Sequence, residues 1–425
     1  MSRLPPPSPP SALVDRINEG TDLIVPIANG EPTLLLDAVE GAADDLRGVR
    51  VHQMHCLHDR PYLHGEFGDN LRHVSYFLSP VTRRAYAQNQ IDFTPANFSE
   101  VPFVMNAATT DPIVIGASSL PDRHGYFSLG TSADYVASMI GRRPFFLEAT
   151  PHMPRTHGGN VIHHSQILGW TESERELVAV PRVEPKPVER QIAQIVASEV
   201  PNGATIQVGI GGIANAILDG LRSHQDLGLH TELLHDGVMD LMEIGVITGG
   251  AKERRRNRAV ATFALGTKKL YEWLDQNAVV EMLPVEFVND PRQIARMSNF
   301  VSVNAALEVD LLGQCASETI GTRYFSGSGG QADFARGARY SPGGKAFIVL
   351  PSTTRTGESR IVSTLAHGSV VTTVKNTVDN VVTEHGIARL RGKTLNQRAR
   401  ALISVAAPEH RDGLSRLAHE RGLIH

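Results

Sequence analysis

One carboxylate stands between two imidazoles in the stretch HTELLHD: Glu232, two residues after His230 and three before His235. Such groups at short range can hold a metal, pass protons, or attack a carbonyl carbon, and spacing decides among these. A zinc-hydrolase helix reads H-E-x-x-H, which stacks both imidazoles on one face. Here the order is H-x-E-x-x-H, and histidines five apart share a face on neither a helix nor a strand. The geometry argues against a metal centre. The residues that follow, DGVMDLMEIGVITGG, predict a helix with Val238, Leu241, Met242 and Ile244 as its apolar stripe and Gly245 as its stop. Glu232 then falls at a strand end. Taken alone it is open to two readings, a structural polar residue or a group placed where open parallel sheets bind ligands.

Three other stretches carry residue types suited to chemistry. In TIQVGIGGIANAIL (205–218) a strand, a glycine-rich turn and a helix follow one another. Such a turn lets a ligand approach the backbone, and the helix start offers free N–H groups to an anion. It is neither a full G-x-G-x-x-G, since Ala214 stands at the third glycine, nor a P-loop, since Lys-Ser/Thr is missing. YFSGSGGQADFARGA (324–338) is denser in glycine, which costs backbone entropy and adds little packing. Amides aimed at a ligand or a developing oxyanion are a usual return for that cost. In NVVTEHG (380–386), Glu384 and His385 are open to an acid/base role or a capped strand end.

The elements that must position these residues alternate along the chain. DLIVPI (22–27), GVRVHQM (48–54), PIVIGAS (112–118), PFFLEAT (144–150), ATIQVGI (204–210), RAVATFAL (258–265), AFIVLPS (346–352) and NVVTEHG predict strands. ERQIAQIVASEV (189–200), KKLYEWLDQN (268–277) and NQRARALISVA (396–406) predict helices between them. The alternation predicts an α/β architecture with largely parallel sheets. Three prolines in VPRVEPKPVER (180–190) mark a linker, which divides the chain into domains at 1–183 and 188–425. A weak echo supports duplication: a Gly-led turn, strand, small-residue loop and apolar helix from Gly20 recur 183 residues later from Gly203.

Composition narrows the function classes. With 425 residues, 41% apolar and 20% charged, the chain has the make-up of an ordinary globular protein with two or three domains. A net charge of -4 provides no global attraction to nucleic acid or an anionic membrane. Two cysteines, Cys56 and Cys315, are too few for a disulfide framework. The Pro-rich start has no signal-peptide core, and no apolar run reaches the ~18 to 20 residues of a membrane span. The expected location is the cytoplasm.

Eight stretches in fixed order give the chain a family resemblance. They are LPDRHGYFSLGTSADY (120–135), MPRTHG (153–158), QVGIGGIANAI (207–217), LHTELLHDGVMDLMEIGVITG (229–249), LGTKKLYEW (265–273), VNAALEVDLLGQ (303–314), SGSGGQADFARGA (326–338) and VVTEHGIARLRGKT (381–394). Together they resemble the acetyl-CoA hydrolase/transferase family, in particular its 4-hydroxybutyrate and butyrate:acetate CoA-transferases. The resemblance implies two CoA-transferase-type open α/β domains, duplicated, with the active site at their junction. It implies that Glu232 becomes covalently linked to CoA. It further implies that Gly209, Ile210, Gly211, Gly212 and Ile213, with Leu307, Gly329 and Gly330, contact CoA. Coenzyme A and its acyl esters then serve as substrates beside small carboxylates, with no metal or prosthetic group, and the chain assembles as a homodimer or higher homo-oligomer. Five positions depart from the family pattern: Thr150, Ala214, Asn215, His385 and Ala407.

A glutamate suits such chemistry because an ordinary pKa near 4.3 leaves it ionised at pH 7 with no general base. The expected activity is CoA transfer between a short-chain acyl-CoA and a carboxylate such as acetate, through a glutamyl-CoA thioester and ping-pong kinetics. Acyl-CoA hydrolysis by the same glutamate is the nearest alternative. A nucleotide-binding oxidoreductase rests only on GIGG, and a catalytically idle CoA-binding subunit would have no need of Glu232.

Overall fold

The computed structural model describes residues 4–425, which form two compact units. One runs to Pro181 and takes in Val260–Val288; the other is Arg182–Ala259 with Asn289–His425. The half expected at 188–425 is thus interrupted. Val260–Val288 packs in the first unit because Glu281 and Met282 pair in parallel with His157 and Gly158.

The first unit holds a seven-stranded sheet of β1 (Asp22–Ile24), β2 (Val49–Gln53), β3 (Leu71–Ser75), β4 (Asp92–Phe93), β5 (Pro112–Ser118), β6 (Phe145–Ala149) and β7 (Ile167–Glu172). Their order is β7-β6-β5-β1-β2-β3-β4, and every pairing is parallel. β5 is buried along its whole length, as expected of a strand covered on both faces.

The second unit holds β8 (Thr205–Val208), β9 (Gly228–Leu229), β10 (Phe300–Ala305), β11 (Lys345–Val349), β12 (Asn380–Thr383) and β13 (Gly386–Arg389). Their order is β9-β8-β10-β11-β12-β13, parallel except for the terminal β12–β13 hairpin. Four helices matter here: α1 (Pro187–Ser198), α2 (Gly212–Gly220), α3 (Asp236–Glu243) and α4 (Gln331–Tyr340). The linker prolines leave 178–186 without regular structure, and Pro187 opens α1 at the one helical position where its missing N–H costs nothing.

Two local expectations change. RAVATFAL divides into Ala259–Ala261 and Phe263–Ala264. The buried stripe of α3 is Val238, Met239 and Leu241, whereas Ile244 is half exposed. The helix stops at Glu243 and Gly245 turns the chain at φ +76, so Ile244 leaves the packed face.

Candidate active site

From β8 the chain passes through α2 to β9 on one side, then returns to β10 on the other. Such a reversal opens a crevice above the carboxyl ends of β8 and β10, the usual ligand position in an open α/β sheet. The expected site residues gather at this edge of the second unit. Gly209 follows the last residue of β8, Leu307 lies two residues past β10, and Glu232 three past β9.

The turn after β8 is built for close approach. Gly211 has φ +106, a region closed to side chains, and side-chain positions at Gly209 and Gly211 face open space. Gly212 opens α2, where a Cβ would overlap the Glu189 carboxylate of α1. Ile210 stands out from the turn, 63% exposed, and Ile213 is partly buried one residue into α2. Leu307 is partly exposed and fixed by its N–H to Ala316 O at 2.9 Å.

Glu232 meets two groups that lie far from it in sequence. Its Oε2 accepts from Asn289 Nδ2 at 2.9 Å, and the carboxyl also accepts from the backbone N–H of Gly330. Asn289 is fully buried, and the next residue, Asp290, caps the turn Pro291–Ile294 by accepting from Arg292 N at 2.8 Å. Gly330 is the residue before α4, so its amide also presents the positive end of that helix. A Cβ on Gly330 would overlap both Glu232 Oε2 and Asn289 Nδ2. The preceding Gly329 takes φ +55, the left-handed region. Burial raises the Glu232 carboxyl to about 7, against the lowering pull of Asn289 and Gly330. At neutral pH it is therefore about half protonated rather than fully ionised.

The flanking histidines support rather than react. His230 is buried with its ring edge-on to Phe300 at 6.1 Å. His235 Nδ1 accepts from Gly237 N at 3.4 Å and caps α3, while its ring meets the backbone of Gly209. Burial holds its pKa down to about 4, so at neutral pH it is an uncharged cap. Glu384 accepts from Ser352 N at 2.9 Å and Oγ at 2.6 Å, which ties the ends of β11 and β12 together. Its role here is that of a strand-end lock.

The sequence alone did not single out Asn289, whose signal is faint because VNDP reads as a turn. Nor did it reveal the reciprocal amide pair of Gln207 on β8 and Asn304 on β10, at 3.3 and 3.2 Å across the switch point. Among the departures, Asn215 holds the linker by donating to Val183 O at 2.8 Å. Thr150 donates to Arg175 O at 2.8 Å within the first unit. Ala214 and Ala407 are buried, and the His385 N–H donates to Thr383 Oγ1 at 3.1 Å.

Comparison with known proteins places the chain in a family. Models of the acetyl-CoA hydrolase/transferase N-terminal and C-terminal domains match residues 9–188 and 266–418. The chain is 41% identical to a succinyl-CoA:cyclohexane-1-carboxylate CoA transferase of Geobacter metallireducens, over 96% of this chain and 94% of that one. It is 40% identical to the 4-hydroxybutyrate coenzyme A transferase of Clostridium kluyveri, over 94% of each. The crystal structure of RipA from Yersinia pestis superposes with a TM-score of 0.93 at 34% identity, over 98% of both chains. With both domain models in place and whole-length relatives near 40% identity, the chain belongs to the acetyl-CoA hydrolase/transferase family and is an enzyme of the CoA-transferase kind.

Proposed function

We propose that this protein moves CoA between a short-chain acyl-CoA and a free carboxylate such as acetate, through a glutamyl-CoA thioester on Glu232. The observation that carries the reading is a buried carboxyl at the strand ends held by two donors distant in sequence, Asn289 Nδ2 on Oε2 and the backbone N–H of Gly330. Oε1 attacks the thioester carbonyl carbon. The C–S bond breaks, CoA departs as thiolate, and an acyl-glutamyl anhydride remains. The thiolate then attacks Cδ of Glu232, and the developing negative charge falls on Oε2. Asn289 Nδ2 already donates to that oxygen and the Gly330 N–H to the same carboxyl, so little reorganisation is needed as charge builds. Collapse expels the acyl group as a carboxylate and leaves glutamyl-CoA, and an incoming carboxylate runs the sequence backwards. Coenzyme A enters as a substrate, and the protein supplies the nucleophile and both donors. A homodimeric or larger assembly in the cytoplasm is part of the same proposal.

Intact-mass spectrometry after incubation with acetyl-CoA or succinyl-CoA tests the reading. The expected result is a CoA-sized adduct that maps to the Glu232 peptide and is discharged by millimolar acetate. An adduct discharged at the same rate without acetate identifies a hydrolase instead. No adduct with either ester sinks the proposal.

The raised carboxyl sets a pH dependence. Only the ionised form attacks, so the single-turnover rate of adduct formation should rise about tenfold per pH unit below about 7 and level off above it. An ordinary glutamate would give a flat profile from pH 6 to 8. A flat profile would show that burial does not govern the nucleophile.

A further inference from the structure

We infer that Glu318 is a positioning residue that holds the Gly330 amide on Glu232, through a polar frame gripping the glycine-rich loop on both sides. Residues 325–330 form no helix, and Gly329 sits in the left-handed region, so the loop's own conformation does not fix Gly330. Glu318 supplies what is missing. It is 3% exposed, and its carbonyl accepts from Phe325 N at 2.7 Å and Ser326 N at 3.4 Å. Its side-chain Oε1 accepts from Thr372 Oγ1 at 3.0 Å and Ser328 Oγ at 3.4 Å. Thr372 Oγ1 in turn accepts from Ser317 N at 2.9 Å.

The far side of Gly330 is held by the same frame. Gln331 donates through Nε2 to Thr373 Oγ1 at 3.0 Å and to Cys315 Sγ at 3.3 Å. Cys315 O accepts from the N–H groups of Thr372 and Thr373 at 2.9 and 3.1 Å. Residues 315–318 and 372–373 thus contact the loop at 325, 326, 328 and 331, with Gly330 suspended between the grips. Burial pushes the Glu318 carboxyl above its ordinary range, so keeping it there costs stability. A purely structural loop would be served as well by an apolar residue, whereas an amide that must meet the Glu232 carboxyl needs directional anchoring.

The kinetic part of the test rests on the proposed transfer reaction; the spectroscopic part does not. In full-length protein, Glu318→Ala should move the Glu232 titration midpoint upward by about half a pH unit, because the lost Gly330 bond favours the ionised form. The midpoint is read by 13C NMR of side-chain-labelled glutamate, with the resonance identified by its absence in Glu232→Gln. The kcat for transfer should fall roughly 10- to 100-fold, with KM for acyl-CoA within about threefold. Glu318→Gln keeps an oxygen for Thr372 and Ser328 and should restore most of both. Thr372→Val, which keeps the shape and removes the donor, should give a smaller upward movement and serves if Glu318→Ala does not fold. An unmoved midpoint in both Glu318→Ala and Thr372→Val, or equal impairment by Ala and Gln, overturns the inference. If the midpoint moves but wild-type protein transfers no CoA, the positioning role stands and the functional reading fails.

Discussion

Glu232→Ala should abolish CoA transfer, by at least ~10⁴-fold in kcat, while the protein remains folded. No nearby group can take over, since His235 is occupied as a helix cap and Glu384 is tied to Ser352 through both oxygens. The glycine-rich turn after β8, which the family resemblance assigns to CoA, is untouched by the change, so the variant should keep its affinity for the ester and lose only the adduct. Glu232→Gln separates stability from chemistry. In the folded protein the carboxyl sits near 7 rather than 4.5, so the native state holds the proton more tightly than the unfolded chain does. Wild-type stability must then fall as pH rises from about 4.5 to 7 and stay lower above that. A displacement of that size is worth roughly 3 kcal/mol, an upper figure given the partial exposure of the side chain. The neutral glutamine avoids the cost. Above pH 7 Glu232→Gln should therefore unfold at higher denaturant concentration than wild type, and the two should converge below pH 4.5. An active Glu232→Ala, or a Gln variant less stable than wild type at pH 8, would contradict the assignment.

The fold was legible because its strands obey simple rules. PIVIGAS is apolar on both faces and forms β5 from Pro112 to Ser118 as read. The central strand of the second sheet, β10, was missed. Its residues FVSVNA carry Ser302 and Asn304 where a buried strand is expected to be apolar, and those polar groups are tolerated only in context. Asn304 pairs with Gln207 on the neighbouring strand, a partner nearly a hundred residues away. The site shows the same division. The glycine-rich turns and Glu232 stand out by composition and by family resemblance. The ionisation of Glu232 does not, because it depends on burial and on two donors from residues 289 and 330. Asn289 itself could have been found only from the turn it precedes. A sequence reading supplies the candidate glutamate; the donors that meet it and the pH at which it ionises come from the fold.

Gly330→Ala should be nearly as damaging as loss of the nucleophile, although it adds a single methyl group far from Glu232 in sequence. The backbone would accept alanine, since Gly330 has φ -96 and ψ 4. The obstacle is contact: the new Cβ would overlap Glu232 Oε2 and Asn289 Nδ2 together. Either the carboxylate leaves both donors or the loop withdraws its amide, and both outcomes remove donors from the Glu232 carboxyl that the proposed transfer needs. One lost donor of this kind typically costs 10²- to 10³-fold in kcat, and displacement of the attacking carboxylate by about 1 Å can cost a further ~10². The expected loss is thus at least ~10³-fold, with a stability change of about 1 to 3 kcal/mol from overpacking. Gly329→Ala provides the contrast. Its cost is backbone strain at φ +55, about 1 to 2 kcal/mol, and it should lower stability by as much while retaining far more transfer. If Gly330→Ala kept a tenth of wild-type activity, or if the two alanine variants lost activity equally, the close approach of Gly330 to Glu232 would have no part in the chemistry.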